Sequence, residues 1–245
     1  GMFPGFLHMM REPEKAFPPH VKTLLMSQSD FSLPHAPARN YAVPRKYDFT
    51  YSASDCDVAT DGNGWCGWSK NWSFVKGALG MMCGEMNLTG VLVATKDKQG
   101  QKAYTIPSSC KGKMIQTTYL ERQSDFFNYL SQSRFAFLPQ VHDASPRVSS
   151  QALAHDVPVL MNYYIQGGWK YVNNKTGEFF HDMSDFRQSL ETILRNADIP
   201  SRYEPRKWVL ENYGTVRSGK RLLEFVKTHF SDRVQLPKHT TSLAI

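Results

Sequence analysis

No stretch of this chain approaches the roughly 20 consecutive apolar residues that a membrane-spanning helix needs, so no transmembrane segment is expected. The opening residues 1–8 lack the charged-then-apolar build of a secretory signal, and Gly1 ahead of Met2 reads as the remnant of a cleaved tag. Cysteine is scarce. Cys56, Cys66, Cys83 and Cys110 form no CxxC pair and have no histidines at zinc spacing, which argues against a structural metal site. Free buried thiols in a reducing compartment are the expectation, with a cytoplasmic location as the default. Three Asn-x-Ser/Thr sequons, at Asn71, Asn87 and Asn174, are read as chance matches because Asn71 falls inside an expected helix.

Two further absences narrow the function. There is no GxGxxG, so a dinucleotide site has no fingerprint. No run of five or six basic residues and no RNA-binding signature accompany the net charge of +7. A basic balance favours anionic partners. Spread out as it is here, it fits a pocket for a small phosphorylated ligand, and nucleic acid is not an expected partner. Asp55-Cys56-Asp57 has the letters of an acidic metal motif, but it lies in the loop after the first core strand and is read as a solvated pair. No metal is expected.

What is present is a repeating α/β rhythm. With 41% hydrophobic and 21% charged residues the chain is too apolar to be disordered. Residues 1–45 are punctuated by Pro13, Pro18, Pro19, Pro34, Pro37 and Pro44, too often for a long helix, and read as an extended lead-in or linker. From Tyr47 the pattern becomes regular: a strand over 47–51, a polar loop, then a helix over 69–86 on the spacing of Trp72, Val75, Leu79 and Met82. Strands are expected at 90–94, 114–119, 134–139 and 158–161, and helices at 124–132, 146–154 and 184–195. Two more helices, near 205–212 and 218–230, end the fold. Trp65, Trp68 and Trp72 are read as packing residues. Alternating strands and helices with short connections specify a Rossmann-like parallel sheet with helices on both faces. The expected organisation is one such domain over 46–200, with helices and a tail over 201–245. Ligands in these sheets bind beyond the carboxyl ends of the strands, where the strand order reverses.

The most informative segment is Phe137-Leu138-Pro139-Gln140-Val141-His142-Asp143-Ala144-Ser145-Pro146-Arg147-Val148-Ser149-Ser150-Gln151-Ala152-Leu153. A strand empties into a polar loop, with Ser145 expected as the helix N-cap and Pro146 as its first residue. Asp143 is an alternative cap. Arg147 in the first turn opposes the helix dipole, which a bound phosphate at the helix N-terminus would explain.

This segment, within 90–195, resembles the C-terminal domain of GT-B-fold glycosyltransferases, especially the retaining group 1 type. That family sets two acidic residues eight positions apart across this loop and helix. Here the positions hold Asp143 and Gln151, followed by Ala152-Leu153 and Val157-Pro158-Val159-Leu160. Ser145-Pro146-Arg147 and Gln151-Ala152-Leu153 are also similar to an exostosin-like element. The resemblance implies that Gln151 holds the donor ribose and that Asp143 faces the transferred sugar, with His142 beside it as a second catalytic candidate. Glutamine can pair with hydroxyls through its amide, without the strength of a charged acceptor. Gly167-Gly168-Trp169-Lys170 matches a glycine-rich turn near the donor, and Asn174-Lys175-Thr176-Gly177-Glu178-Phe179-Phe180 the strand before the last core helix. Read without the family, Lys170 pairs with Glu178 or Asp182. Upstream, Ser54 and Lys70 stand where the family supplies a basic residue to the diphosphate.

The resemblance thus implies a metal-independent transferase using a UDP-sugar or GDP-sugar, with a glycan, protein or lipid acceptor. In such a site lysine, arginine and a helix terminus stabilise the leaving diphosphate. A full GT-B enzyme has a second, N-terminal domain, so a missing domain or a homodimer through the C-terminal helices is expected to complete the cleft. The competing reading is a non-catalytic nucleotide-sugar-binding or scaffold module.

Overall fold

The structure is a computed structural model that describes residues 5–234. Six parallel strands make the sheet: β3 (Tyr47–Ser52), β4 (Gly90–Val93), β5 (Met114–Gln116), β6 (Ser133–Leu138), β7 (Val159–Asn162) and β8 (Gly177–Phe180). Their spatial order is β5-β4-β3-β6-β7-β8. The chain therefore steps outward from β3 to β5, then returns to the other side of β3 with β6. The crevice between the carboxyl ends of β3 and β6 is the topological switch point, where open α/β sheets bind ligands.

Strand periodicity sorts the side chains into two layers. Register pairs Tyr51 with Leu92 and Phe137, and Phe137 with Leu160, so these share one face. That face packs against α2 (Trp72–Leu79) and α5 (Met183–Asn196) through Val75, Leu79, Phe186, Leu190 and Ile193. The opposite face carries the smaller Ala136, Leu138, Val159 and Met161. It packs against α3 (Gln123–Ser131), α4 (Arg147–Ala154) and α6 (Pro205–Asn212). Phe135, Phe137, Phe180 and Phe186 are fully buried, each ring worth about 1.5–3 kcal/mol of burial. The Rossmann-like sheet read from the sequence is the fold observed.

The helix expected over 69–86 is three pieces. α1 (Trp65–Ser69) ends before Asn71, whose backbone is left-handed at φ 55, and α2 restarts at Trp72; a π-helical turn, Gly80–Glu85, follows. The break has a local cause. The Asn71 side chain donates to the Pro139 carbonyl at 2.9 Å, tying the helix junction to the end of β6. Of the three tryptophans only Trp72 is buried, at 2% exposure.

The cysteines are a correction. Cys56 is bonded to Cys66 and Cys83 to Cys110, and no cysteine is free. Sequence separations of 10 and 27 residues hid both pairs from a spacing argument. Disulfides persist in oxidising compartments, so the free-thiol argument for the cytoplasm falls away. No helix among the described residues is long and apolar enough to cross a membrane.

The lead-in has more structure than its prolines imply. β1 (Gly5–His8) pairs in parallel with β2 (Lys22–Leu25), apart from the main sheet. Asp30 then plunges into the protein with no exposed surface. Its carboxylate takes the Lys170 ammonium at 2.6 Å and the Tyr171 hydroxyl, while its carbonyl accepts from Gly214 and from Ser218 at the start of α7 (Thr215–Phe230). One buried residue thus joins the lead-in to the turn after β7 through its carboxylate and to the last helix through its carbonyl.

Candidate functional site

Two loops meet at the switch point. The first leaves β3 through Ala53 and Ser54, turns back through the Cys56–Cys66 disulfide and ends at Lys70. The second leaves β6 at Pro139 and runs through His142 and Asp143 to α4. Three contacts join them. Lys70 Nζ lies 3.5 Å from Asp143 Oδ2. The Trp68 indole stacks on the His142 ring, with centroids 3.7 Å apart and planes 15° from parallel. The Asn71–Pro139 hydrogen bond is the third. Tyr51, deep in the core, also donates to the Lys70 carbonyl at 3.0 Å, anchoring that loop to β3.

Beside these loops a cavity of about 320 Å³ opens over the ends of β3 and β4. Ser52, Ala53, Val93 and Ala94 form its floor, Tyr119, Leu120 and Glu121 one wall, and Arg147, Val148 and Gln151 of α4 the other. Gln151 is 6% exposed, yet its amide has no hydrogen-bond partner among the described residues. The amide atoms are not sealed from solvent but open on the cavity, so their donor and acceptor capacity is available to a ligand there. Arg147 is exposed and its guanidinium likewise has no partner among the described residues. A larger cavity, about 500 Å³, lies at the amino ends of the strands, lined by Arg39, Arg45, Lys46 and His155 among others. Ligands of open α/β sheets bind at the carboxyl ends of the strands, which favours the smaller one, over β3 and β4 beside the switch point.

The structure gathers the sequence-derived residues unevenly. Arg147 and Gln151 line the cavity, whereas Lys70 and Asp143 meet each other in the neighbouring loops, with His142 beside Asp143, and line no part of it. Asp143 caps no helix: its Oδ1 accepts the Ser145 N–H at 3.1 Å and so fixes the loop. Ser145 is not the helix cap either. Helix α4 begins at Arg147 with Pro146 at the cap position, and the Ser145 hydroxyl meets the Ser29 hydroxyl of the lead-in at 2.8 Å. Ser54 is half-buried outside the cavity lining, and its carbonyl accepts from Tyr104 at 2.9 Å.

The glycine turn supports the site from behind. Gly167 donates to the Asp143 carbonyl at 2.9 Å, and a Cβ there would lie 1.8 Å from the Ala144 carbonyl oxygen. Gly168, at φ +77, would press a Cβ against the Pro146 ring at 2.3 Å. The room that side chains would need is taken by the Asp143 loop itself, so these glycines seat that loop. Lys170 is used elsewhere. It pairs with Asp30, with only 7% of its side chain exposed, and burial holds its pKa below the ordinary lysine value despite that partner. Its expected partners are engaged too: Glu178 accepts from Tyr203, and Asp182 caps α5.

Tyr119 and Glu121 are cavity residues that the sequence reading passed over. They follow β5, and the rule that ligands meet the loops after strands would have found them. Among the described residues one group of three metal-type ligands comes together. The ligand atoms of Cys56, Asp57 and Cys66 lie within 4.8 Å of one another, but the two sulfurs are joined and present no thiolate.

No family model and no curated protein matches this chain. Solved structures do. TarM superimposes with a TM-score of 0.62 at 10% identity, over 91% of this chain and 43% of its own. A sucrose-phosphate synthase from Thermosynechococcus elongatus gives 0.60 at 11% identity, over 93% of this chain and 59% of its own. The pneumococcal O-GlcNAc transferase GtfA, solved with UDP and GlcNAc, gives 0.56 at 9%, over 92% and 45%. This chain thus spans about half the length of the structures it matches. The parallel sheet, its switch point and these superpositions agree: the chain has the GT-B glycosyltransferase fold, in the form of one Rossmann-like half.

Proposed function

We propose that this chain is the donor-binding half of a glycosyltransferase that takes its sugar from a UDP-sugar or GDP-sugar without a metal. The observation that carries the reading is the pairing of Gln151, with its unpaired amide, and the unpaired Arg147 on one wall of the cavity at the carboxyl ends of β3 and β4. In this reading the Gln151 amide meets the ribose hydroxyls, and Arg147 and Lys70 meet the diphosphate. As the glycosidic bond breaks, negative charge grows on that diphosphate, and fixed cations in a partly dry crevice lower the barrier to its departure. A bound diphosphate also competes with Asp143 for Lys70. Drawing Lys70 away frees Asp143 to face the sugar, with His142 beside it. The acceptor is a glycan, protein or lipid. A second domain or a partner chain supplies the opposing wall. The two disulfides favour an oxidising compartment for the protein.

A non-catalytic nucleotide-sugar-binding module is the second reading, favoured by the uncharged Gln151 where the resembled family has an acid. Thermal stabilisation by UDP, GDP, ADP, TDP and their sugars, with and without EDTA, tests the donor site. The expected result is a shift with one nucleotide, insensitive to EDTA and lost in Gln151→Ala, because a ligand that binds only the folded state raises the midpoint. No shift with any nucleotide overturns the reading. A shift without sugar transfer to any offered acceptor favours the module.

A further inference from the structure

Two large aromatic side chains beside this crevice have no role in the core. Trp65 is 71% exposed and Trp68 50%. Their rings lie 4.8 Å apart, and the other side of the cluster is the His142 ring stacked on Trp68. Single exposed hydrophobics are ordinary. An exposed indole pair continuous with a stacked imidazole is a patch that needs an explanation.

The patch is rigid. The Cys56–Cys66 disulfide closes the loop immediately beside Trp65. Asp57 Oδ2 accepts the Gly67 N–H at 2.9 Å between the two tryptophans. Gly67 is pressed so closely on Gly62 that a Cβ would lie 1.9 Å from its carbonyl oxygen. From the other end, Tyr51 holds the Lys70 carbonyl. A covalent bridge, a carboxylate and a buried tyrosine together hold two indoles out into solvent. Such pre-organisation lowers the entropy cost of binding.

We infer that Trp65, backed by Trp68 and the His142 ring stacked on it, presents a platform for the pyranose ring of a carbohydrate. The electron-rich face of an indole suits the apolar C–H face of a sugar ring, while the hydroxyls at the ring's edge need polar partners. Such a partner is at hand in Asp143, whose side chain is 22% exposed. Neither tryptophan lines the Gln151 cavity. The platform therefore sits on the Asp143 side of the crevice, apart from the wall assigned to the nucleotide, and a sugar lying on it approaches Asp143. Calling that sugar the acceptor rests on the transferase reading; carbohydrate binding by the platform does not.

The test is a screen of the full chain on a printed array of oligosaccharides. It is followed by tryptophan-fluorescence titration with the best binder, or with maltose, cellobiose, lactose and chitobiose if the array gives none. Saturable binding that weakens at least tenfold in Trp65→Ala and in Trp68→Ala, and is partly restored in Trp65→Phe, is expected. Unchanged far-ultraviolet circular dichroism in each variant separates this loss from misfolding. Nucleotide stabilisation should survive Trp65→Ala, and glycan binding should survive Gln151→Ala. Absence of any glycan binding, or binding indifferent to both tryptophans, overturns the platform. So does loss of UDP or GDP binding in Trp65→Ala, which would assign the indoles to the donor base. A change of oligomeric state in Trp65→Ala by sedimentation, without glycan binding, would assign them to a protein interface and also overturn it. Glycan binding at the indoles in a chain that binds no nucleotide keeps the platform and removes the word acceptor.

Discussion

Lys70 and Asp143 face each other across the switch point, with Nζ 3.5 Å from Oδ2 and both side chains mostly shielded from solvent. They come from different loops, 73 residues apart in sequence. In the donor reading they do different work, so their variants should part company. Lys70→Met should weaken UDP or GDP binding about tenfold or more, since it removes a cation from the diphosphate. Asp143→Asn should leave nucleotide binding within a few-fold while turnover falls by about a hundredfold or more. Calorimetric binding and steady-state transfer rates separate the two. Equal losses of binding in both variants would mean that the pair is only a structural clasp.

Asp30 and Lys170 form a buried ion pair, and removing one partner strands the other. Asp30→Ala should lower stability by about 3–5 kcal/mol, read from urea unfolding followed by circular dichroism. Tyr171 is affected as well, because burial and the neighbouring Asp30 raise its pKa and keep it a neutral donor to that carboxylate. Lys170→Met should also destabilise the fold. At a temperature where the variant remains folded, its nucleotide affinity should match the wild type. A selective loss of nucleotide affinity there would return Lys170 to the donor site.

The two disulfides differ in exposure. Cys56 is exposed at the rim of the site, whereas Cys83 and Cys110 are fully buried. Mild dithiothreitol should therefore open Cys56–Cys66 first, and iodoacetamide labelling with peptide mass spectrometry should find the new thiols there. Full denaturation without reductant should expose none. Cys56→Ser with Cys66→Ser should cost about 2–4 kcal/mol and loosen the loop that carries Trp65, Trp68 and Lys70. Four alkylated cysteines in unreduced protein would contradict the pairing.

Acid should weaken the protein in two stages. Burial lowers the pKa of His155 below its ordinary 6.5, although the Gln151 carbonyl 2.8 Å from its Nδ1 works the other way. Burial, helped by the charge of Lys170, does the same to His8. The unfolded chain then binds protons that the folded chain refuses, so stability is fullest above pH 6.5 and declines as the pH falls toward the lowered folded values. Asp198 opposes its own burial through Arg39 and Arg134, which bring its pKa below the ordinary carboxylate value. Its contribution is lost only in a second, more acidic window, below about pH 4. Urea midpoints measured from pH 8 to pH 3 should show both stages, and His155→Gln should flatten the first. A curve that stays flat between pH 7 and pH 5 would refute the first stage.

The fold class was legible because it rests on local periodicity. Tyr47–Ser52 and Ser133–Leu138 alternate two faces, and Phe186, Leu190 and Ile193 recur at helical spacing, so a single sequence specifies a parallel sheet under helices. The segment around Asp143 and Gln151 was also legible, since strand, loop and helix are contiguous there. What spacing could not supply was every relationship between distant residues. Lys170 looked like a ligand of the glycine turn until Asp30, 140 positions away, claimed it. The cysteines looked free because their partners lie across a loop and a helix. Trp65, Trp68 and Trp72 share helical spacing, but the left-handed Asn71 breaks the helix between them, burying the last and exposing the first two. Periodicity records which face of an element is apolar. Which residues meet across the fold depends on strand order and chain crossings, and only packing in three dimensions fixes those.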